Sequence, residues 1–501
     1  MRLKFILILL LAPAMLMAKP LEVWIMPNGA NPQGILEERL VQFTKETGLS
    51  AKVVVLDWGE AWSRISEALE SGQGPDVLQL GTTWVSFFAS KGWLSPLDAH
   101  LGKVDPGRFV PVSWKTTQVD DQNSIYAIPW FMDVRVLMAN KALLAESGLD
   151  NENIVTLDSF RLALDRFKSL NKTKETGTII YPFAFPGKSD WNIPHNFAPW
   201  IWSQGGDFIV KENGQWQSNL LNPKTIKGIK LYVNFILDSL VNVSTLKENT
   251  AQVTSRFNNG EQLFSINTSE VIMQTRVDES KGGTLNSRIG QDGISTFPIP
   301  SGPAGSVAFI GGSNLALPKA KQNNSRALQL LLFLTRGDNL DIYTQKIGFL
   351  PPDTTVLSEW AQDSLYKVLV DQAKEGKAYP NIPNWGEIES MLVEMFSAVW
   401  SLLDVGGLYS DEELYEILSR YHLVLNKSLD AGEVAVLSKD EFYDVIKSIK
   451  SLEELKYGPK KEKSSARVDL LQKVEFRIAL AVLFILLLSL IGVIRLRKKQ
   501  N

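Results

Sequence analysis

The sequence predicts an α/β fold with more than one hydrophobic core, followed by one transmembrane helix near the C-terminus. Three observations lead to this prediction. Short apolar segments alternate with amphipathic helical segments over residues 21–80. The length of 501 residues exceeds what a single core usually organises. Residues 478–494 form an uncharged apolar run, which is typical of a helix that crosses a bilayer.

Composition and charge exclude several classes of protein. The formal net charge is −3, which argues against a nucleic-acid binder, because such a protein needs a basic face to meet phosphates. The chain contains no cysteine, which excludes disulfides, iron–sulfur clusters, thiol catalysis and an acylated N-terminal cysteine. No metal-ligand cluster stands out around the three histidines, so we expect neither a metal nor a cofactor.

The N-terminus has the pattern of a secretory signal peptide over residues 1–18. Arg2 and Lys4 precede a compact apolar run at residues 5–11, and small residues follow, ending at Ala18. Such a charged start, apolar centre and small-residue end directs a chain to the secretory pathway. We expect cleavage after Ala18; an uncleaved membrane anchor is the alternative.

The first part of the body predicts strands joined by helices. Strand-like runs cover residues 21–26, 51–58 and 75–80, and the helices between them have one apolar face each. Those faces carry Leu36, Leu40 and Phe43 in the first helix, and Trp62, Ile65 and Leu69 in the second. Single-helix crossovers imply parallel strands. Ligands on such sheets bind beyond the carboxyl ends of the strands, which nominates the segments after Met26, Leu56 and Leu80.

The middle and later parts are more helical. An apolar face through Leu157, Phe160, Leu164 and Phe167 predicts one helix, and Asn222-Pro223 starts another, since asparagine caps a helix and proline suits its first turn. Strand character returns at residues 293–300 and 313–319, and residues 325–430 are again mostly helical. We assign residues 431–473 to an amphipathic helix at 439–455 and a solvated linker that begins at 456.

The C-terminal end predicts a transmembrane helix over residues 474–496. Arg477 and Arg495 can extend their charged ends out of the apolar run. The basic residues of RLRKKQN place the tail 497–501 in the cytoplasm by the positive-inside rule. The chain is then a single-pass protein of a cell membrane, with its N-terminal body in the periplasm or outside the cell. A buried core helix is the alternative.

Seven segments of the body stand in a characteristic order. They are LVQFTKETG with SGQGPDVLQLGTTWVSFFASKGWLSPLD, YAIPWFMDVRVLMANKALL, WNIPHNFAPWIWSQGGDFI, FNNGEQLFSINTS, FPIPSGP, FIGGSNLALPK and NWGEIESMLVEMFSAVW. No single segment is specific, but the order and spacing are. By these segments, residues 20–430 resemble the extracellular solute-binding proteins of carbohydrate ABC importers, of the maltose/trehalose type (family 1).

This resemblance implies a two-lobed periplasmic-binding-protein fold, with hinged lobes that are discontinuous in sequence and a ligand in the cleft between them. We assign residues 19–129 and 265–320 to lobe one, and residues 130–264 and 321–430 to lobe two. The implied ligand is a small-molecule carbohydrate, a di- or oligosaccharide. The implied partners are the transmembrane subunits of an ABC permease, the receptor itself being a monomer and not an enzyme.

A sugar site needs flat aromatic surfaces for C–H faces and polar groups for hydroxyls. By the resemblance, positions that match the family's cleft are candidate ligand contacts. They are Asp57, Trp58, Thr82, Trp84, Trp130, Asp133, Arg135, Trp191, Ser313, Trp385 and Glu387. The tryptophans would stack on sugar faces, and the carboxylates would accept hydroxyl hydrogen bonds. Arg135 would donate hydrogen bonds or hold Asp133 in place.

Several candidates also have a purely structural interpretation. Trp58 could pack on its own helix, Trp84 could be core, and Glu387 could favour a helix start, where acids are stabilising. Arg135 could serve as the structural partner of Asp133. We interpret Gly311-Gly312 as a backbone requirement at the hinge, and His195 as an ordinary polar loop residue.

Two other functions compete with that of a transport receptor. The first is a membrane-tethered sugar sensor or surface-binding protein that has no transporter; against it, no signalling domain follows the membrane helix. The second is a glycosidase, since two suitably spaced carboxylates could hydrolyse a glycosidic bond. No nucleophile elbow or P-loop supports an enzyme.

Overall fold

A computed structural model of the chain describes residues 19–187, 190–322, 324–404, 409–432 and 434–458. The predicted signal peptide and the predicted transmembrane helix lie outside these residues. Within the described ranges, no helix combines the length and the apolar character that a membrane crossing requires. The chain divides after Ile449 into two compact units.

The unit that ends at Ile449 contains strands and helices in alternation. The strands are β1 Leu21–Ile25, β2 Ala51–Val55, β3 Val77–Gly81, β4 Ala127–Val134, β5 Val136–Asn140, β6 Tyr181–Phe183, β7 Ile209–Glu212, β8 Gln215–Ser218, β9 Gln262–Asn267, β10 Ile294–Phe297 and β11 Ile310–Ala316. The helices up to β9 are α1 Pro32–Thr47, α2 Trp58–Glu70, α3 Val85–Ser90, α4 Pro111–Lys115, α5 Lys141–Ser147, α6 Leu157–Ser169, α7 Ile193–Ser203, α8 Pro223–Leu237 and α9 Thr250–Asn258. The later helices are α10 Ser269–Gln274, α11 Arg288–Asp292, α12 Ser325–Leu334, α13 Gly337–Ile347, α14 Thr354–Trp360, α15 Ser364–Glu375, α16 Trp385–Leu403, α17 Asp411–Ser428 and α18 Lys439–Lys447.

The first sheet has the strand order β2-β1-β3-β11-β4. Strand β1 pairs in parallel with both β2 and β3, as the single-helix crossovers predict. Strand β11 returns antiparallel between β3 and β4. The predicted apolar face of α1 is confirmed, because Leu36, Leu40 and Phe43 are buried. Together with the helices packed on it, this sheet forms what we call the first lobe.

The second sheet has the order β10-β5-β9-β6 and, with its helices, forms the second lobe. Helix α6 packs its predicted apolar face into the core of this lobe. Helix α8 starts as predicted, with the Asn222 side chain accepting from the Lys224 amide and Pro223 in the first turn. Aromatic rings fill much of this core; the Phe197 and Phe396 rings, for example, stack at 3.7 Å.

The chain passes from the first sheet to the second at Arg135, between β4 and β5, and back between β10 and β11. Strands β9 and β10 pair on either side of β5 and so lie in the second sheet, whereas our sequence boundaries placed residues 265–297 in lobe one. Likewise, α12 and α13 pack in the core of the first sheet, although the boundaries placed them in lobe two. The reason is that sheet pairing joins segments far apart in sequence, which local patterns do not report.

The amphipathic helix predicted over 439–455 is wrong in its length. Helix α18 ends at Lys447, and the second compact unit contains a separate helix, α19 Leu452–Tyr457. Ser451 caps α19 through a reciprocal arrangement with Glu454, which gives the backbone a new helix start. Phe442 on α18 is fully buried, as its apolar position predicts.

Candidate functional site

The carboxyl ends of β1 and β2 position an exposed tryptophan. Asp57 caps α2 by accepting from the Gly59 amide at 2.8 Å. Trp58 follows in the first turn, and its indole N–H donates to the Pro27 carbonyl oxygen at 2.8 Å. This bond fixes the ring while 39% of the residue remains exposed. Trp58 is therefore a rigid aromatic surface beyond the strand ends, where the strand order predicts a ligand.

Behind Trp58 lies a cluster of aromatic rings from α2 and the β3–α3 connection. The Trp84 ring meets Trp58 edge-on at 5.5 Å and Trp62 edge-on at 5.2 Å. Trp84 is 7% exposed and belongs to the core of the first lobe. Of the two interpretations of Trp84, the geometry favours a core residue that supports Trp58.

The β3 and β11 strands meet next to this cluster through buried polar groups. The Thr82 backbone N–H donates to the Gly312 carbonyl oxygen at 3.1 Å. The Gln79 side-chain amide group donates to the buried Ser313 hydroxyl at 2.9 Å. Gly312 has φ 126°, and a Cβ there would lie 2.1 Å from the Phe131 carbonyl oxygen. Gly312 is therefore required by the backbone, as its sequence position at the hinge suggested.

Arg135 lies at the crossing between the lobes and holds residues from both sides of it. Its guanidinium donates to Asp133 at 3.1 Å and to the Asn192 side-chain oxygen at 2.6 Å. It also lies 5.6 Å from the centre of the Phe309 ring. Arg135 is thus the partner of Asp133, as the structural interpretation held. The Asp133 Oδ1 atom is buried and has no hydrogen-bond partner among the described residues.

The start of α7 adds a second exposed tryptophan to the second lobe. Asp190 accepts from the backbone amides of Asn192 and Thr250, which orders the turn before the helix. Trp191 between them is 46% exposed. It borders a surface depression of about 650 Å³, whose lining also includes Lys247 and Gln252. The turn joins this depression to Arg135 through Asn192.

Glu270, in the first turn of α10, places a second carboxyl group near that of Asp133. Burial and, to a lesser extent, the nearby Asp133 carboxylate raise the pKa of Glu270 to about 7. The Asp133 and Glu270 carboxyl groups supply hydrogen-bond acceptors in this region, and a neutral Glu270 would also donate. The sequence reasoning did not single out Glu270 or Asn192.

Helix α16 places its candidates in three different environments. Trp385 is 1% exposed and stacks on Tyr379 at 4.5 Å. Glu387 is exposed in the first turn, where a carboxylate is stabilising. Glu389, which the sequence reasoning missed, is fully buried.

His195 is buried in α7 and stacks on Phe309 at 4.2 Å, so its interpretation as a loop residue was wrong.

Trp130 is one of the candidates that the structure buries. It is 1% exposed and stacks on Tyr343 at 4.4 Å within the core of the first lobe. Trp130 lies on β4, a strand whose residues are almost all buried, and this explains its placement. Among these candidates, Asp57, Trp58 and Trp191 are exposed, Asp133 and Arg135 pair at the crossing, and Trp130 lies in the core.

Comparison with known proteins decides the family. A family model described as bacterial extracellular solute-binding protein matches residues 26–339. The chain belongs to this family. The match confirms the resemblance drawn from the ordered segments and includes strands of both sheets.

Individual relatives are similar over most of the chain. Diacetylchitobiose binding protein DasA of Streptomyces coelicolor is 24% identical over 371 residues, which are 74% of this chain and 82% of DasA. The maltose-bound MalE3 structure of T. maritima has a TM-score of 0.67 at 20% identity, covering 81% of this chain and all of that one. UgpB of Mycobacterium tuberculosis, in complex with glycerophosphocholine, has a TM-score of 0.66 at 18% identity, covering 82% of this chain and 99% of UgpB. These structures establish the two-lobed fold.

Proposed function

We propose that this solute-binding protein captures a di- or oligosaccharide in the cleft between its lobes and delivers it to an ABC permease. The observation that carries the proposal is Trp58, an exposed indole held rigidly beyond the ends of parallel strands. A fixed aromatic face is what the apolar side of a sugar ring requires. The diacetylchitobiose of DasA and the maltose of MalE3 support the same ligand class.

Polar groups beside Trp58 and at the crossing would form hydrogen bonds with the hydroxyl groups of the sugar. Asp57 and Asp133 would accept hydrogen bonds, and Arg135 would keep Asp133 in place through their contact at 3.1 Å. Trp191 would offer a second stacking surface from the other lobe, since 46% of it is exposed. Closing the lobes would then bring the two tryptophan surfaces onto one ligand.

The sheets suggest revised lobe boundaries. We place residues 19–134 and 309–347 in the first lobe, and residues 136–300 and 385–449 in the second. This division keeps every strand with the sheet that it pairs in. It makes Arg135 and the segments 301–308 and 348–384 the connections between the lobes.

We also propose that the chain is secreted and tethered. Its signal peptide would be residues 1–18, and its single membrane helix residues 474–496. The uncharged run 478–494 and the basic tail after it support this topology. A tether near the permease raises the effective concentration of the loaded receptor there. An acylated cysteine could not serve instead, because the chain has no cysteine.

Ligand binding is tested with the full-length chain in a detergent without a sugar headgroup. A panel of saccharides, with a polyamine and a divalent metal ion for comparison, is screened by melting temperature and tryptophan fluorescence. We expect at least one saccharide to raise the melting temperature and shift the fluorescence, because binding only the native state stabilises it. A clear response to the polyamine or the metal ion, beside no response to any saccharide, would contradict the proposal.

The topology has its own test. A peptide tag after Asn501 should resist a protease added outside intact cells, because the positive-inside rule places the tail in the cytoplasm. A matched tag inserted next to Gly432, which has open space around it, should be removed by the same treatment once any outer membrane is permeabilised. Cleavage of the C-terminal tag in intact cells would show that the tether is inverted.

A further inference from the structure

Glu389 is a buried acid that the sugar site as described does not use. It lies on α16 and is fully buried, and neither of its carboxyl oxygens has a hydrogen-bond partner among the described residues. A buried carboxylate without a partner is costly, so such a group is usually neutral or functional. The position on an otherwise apolar helix face makes the acid more unusual still.

Among the described residues that face Glu389, none places a positively charged atom within hydrogen-bond distance of its carboxyl group. The His195 Nε2 atom lies 3.6 Å from Glu389 Oε1, and the His195 Nδ1 atom is 2.8 Å from the Tyr379 hydroxyl. Burial, and then the Arg135 charge, hold the pKa of His195 well below its usual range. Arg135 and Asp207 are the other charged groups that act on Tyr379. Glu389 therefore faces a neutral imidazole and a neutral phenol.

The opposite side of Glu389 is the first lobe. Thr83, in the connection between β3 and α3, is near enough to lower the pKa of Glu389, as is Trp385 on the same helix. Other contacts show that the start of α16 packs on this lobe. A Cβ on Gly386 would lie 3.2 Å from the Trp62 ring, and the Ser86 hydroxyl donates to the Ile382 carbonyl oxygen at 2.9 Å. Glu389 thus lies at a contact between the lobes.

We propose that Glu389 is a positioning residue that couples lobe closure to a proton, its neutral carboxyl group holding α16 against the β3–α3 connection. The neutral acid can donate to the Thr83 hydroxyl or the His195 ring, whereas the ionised acid would be buried beside neutral groups only, and the Thr83 and Trp385 side chains offset its lost hydration only in part. Ionisation therefore favours separation of the lobes, which lets water reach the carboxylate. The inference rests on the proposed function, because it assumes that the lobes open and close.

The direction of the pH dependence follows from burial. Desolvation raises the pKa of Glu389 to about 8, and the Thr83 and Trp385 side chains offset this in part. When the lobes separate, hydration returns the pKa toward the ordinary 4.5. Between these two values closure takes up a proton, so the ratio of closed to open protein falls by up to about tenfold per pH unit as pH rises. Below pH 4.5 the stabilisation of the closed state by the neutral Glu389 is fully present, and above pH 8 it is lost.

The test measures the distance between the lobes without any ligand. Because the chain has no cysteine, spin labels attach only at introduced positions, here Glu70→Cys on α2 and Lys427→Cys on α17, both exposed. Distances are recorded on the full-length protein between pH 6 and pH 9.5. The variants are Glu389→Gln, which keeps a neutral group of the same shape, and Glu394→Gln, an exposed control on the same helix.

We expect the wild type and Glu394→Gln to shift from shorter to longer distances as pH rises, and Glu389→Gln to keep the shorter distance throughout. Thr83→Val, which removes the hydroxyl from the first lobe, should favour the longer distance already at pH 6. Melting temperatures confirm that each variant is folded. A wild-type distance that does not change with pH, or a Glu389→Gln profile that follows the wild type, would overturn the proposal. A failed saccharide panel would leave these ligand-free distances unaffected, so the two failures are distinguishable.

Discussion

At the scale of single residues, the candidate tryptophans differ most in how much of the indole ring is exposed. Trp58 exposes 39% of its surface while its N–H is bound to the Pro27 carbonyl oxygen. Trp130 exposes 1% and stacks on Tyr343 at 4.4 Å. A sugar ring can reach Trp58 without rearrangement, whereas Trp130 is committed to the core. The same residue type therefore supports stability at Trp130 and is available for the proposed binding at Trp58.

Substituting these two tryptophans should separate binding from stability. We expect Trp58→Ala to weaken binding of the responding saccharide about tenfold, since aromatic contacts contribute ~1 kcal/mol beyond buried area, with little change in melting temperature. Trp130→Ala should instead lower the free energy of unfolding by about 3–5 kcal/mol, as loss of a buried aromatic does. Calorimetric titration and thermal unfolding measure the two effects. An unchanged affinity in Trp58→Ala would remove this residue from the site.

The sequence could nominate Arg135 because it lies in YAIPWFMDVRVLMANKALL, one of the segments that resemble the family. It could not nominate its partner Asn192, 57 residues away, because the contact depends on how the lobes meet. The sequence did contain a pattern that marks Glu389, although our sequence analysis did not use it. Glu389 lies four residues after Trp385 and three before Leu392, and all three are buried on one face of α16. An acid at an apolar position is a marker of function that helical periodicity can reveal.

At the scale of elements, one contact between the two lobes joins the first part of α2 to the start of α16. Trp62 on α2 lies against Gly386 in the first turn of α16, where a Cβ would be 3.2 Å from the ring. The absence of a side chain at Gly386 therefore allows this close approach. Helix α2 carries Trp58 of the proposed site, and helix α16 carries Glu389 of the proposed proton coupling.

Gly386→Val should act as a wedge between the lobes. The added methyl groups need space that the Trp62 ring occupies, so we expect a longer interlobe distance and weaker saccharide binding. The melting temperature should change little, because valine is no worse than glycine in a helix. Gly102→Val is the matched control, since nothing lies within 4 Å of the position of its Cβ. Equal binding by both variants would show that α16 does not approach α2 on closure.

The strands were predictable where the pattern is local and less so where pairing is distant. β1, β2 and β3 follow each other through single helices, and their parallel pairing came from that alternation. β9 pairs with β5 across more than a hundred residues, and no local pattern reports such a pairing. The predicted end of the helix that starts at 439 was wrong for a different reason. The apolar pattern continues past Lys447, but Ser451 starts a new helix there.

At the scale of the whole molecule, the two lobes are joined at more than one crossing, and the first along the chain lies between β4 and β5. Arg135 stands at that crossing and binds Asp133 and Asn192 at once. Exposed tryptophans belong to each lobe, Trp58 to the first and Trp191 to the second. A ligand that touches both would stabilise the closed arrangement by its difference in affinity for the two states. The family match supports such a receptor and leaves the identity of the solute to experiment.

The most direct test of sugar capture by closure is the distance between labels at Glu70→Cys and Lys427→Cys as saccharides are added at constant pH. We predict that a saccharide which raises the melting temperature also shifts the distances to a shorter, narrower distribution, and that Trp58→Ala requires a higher concentration for the same shift. A saccharide that stabilises the protein without changing the distance would place its site outside the cleft. Such a result, or a shortening produced by the polyamine or the metal ion and by no sugar, would contradict the account.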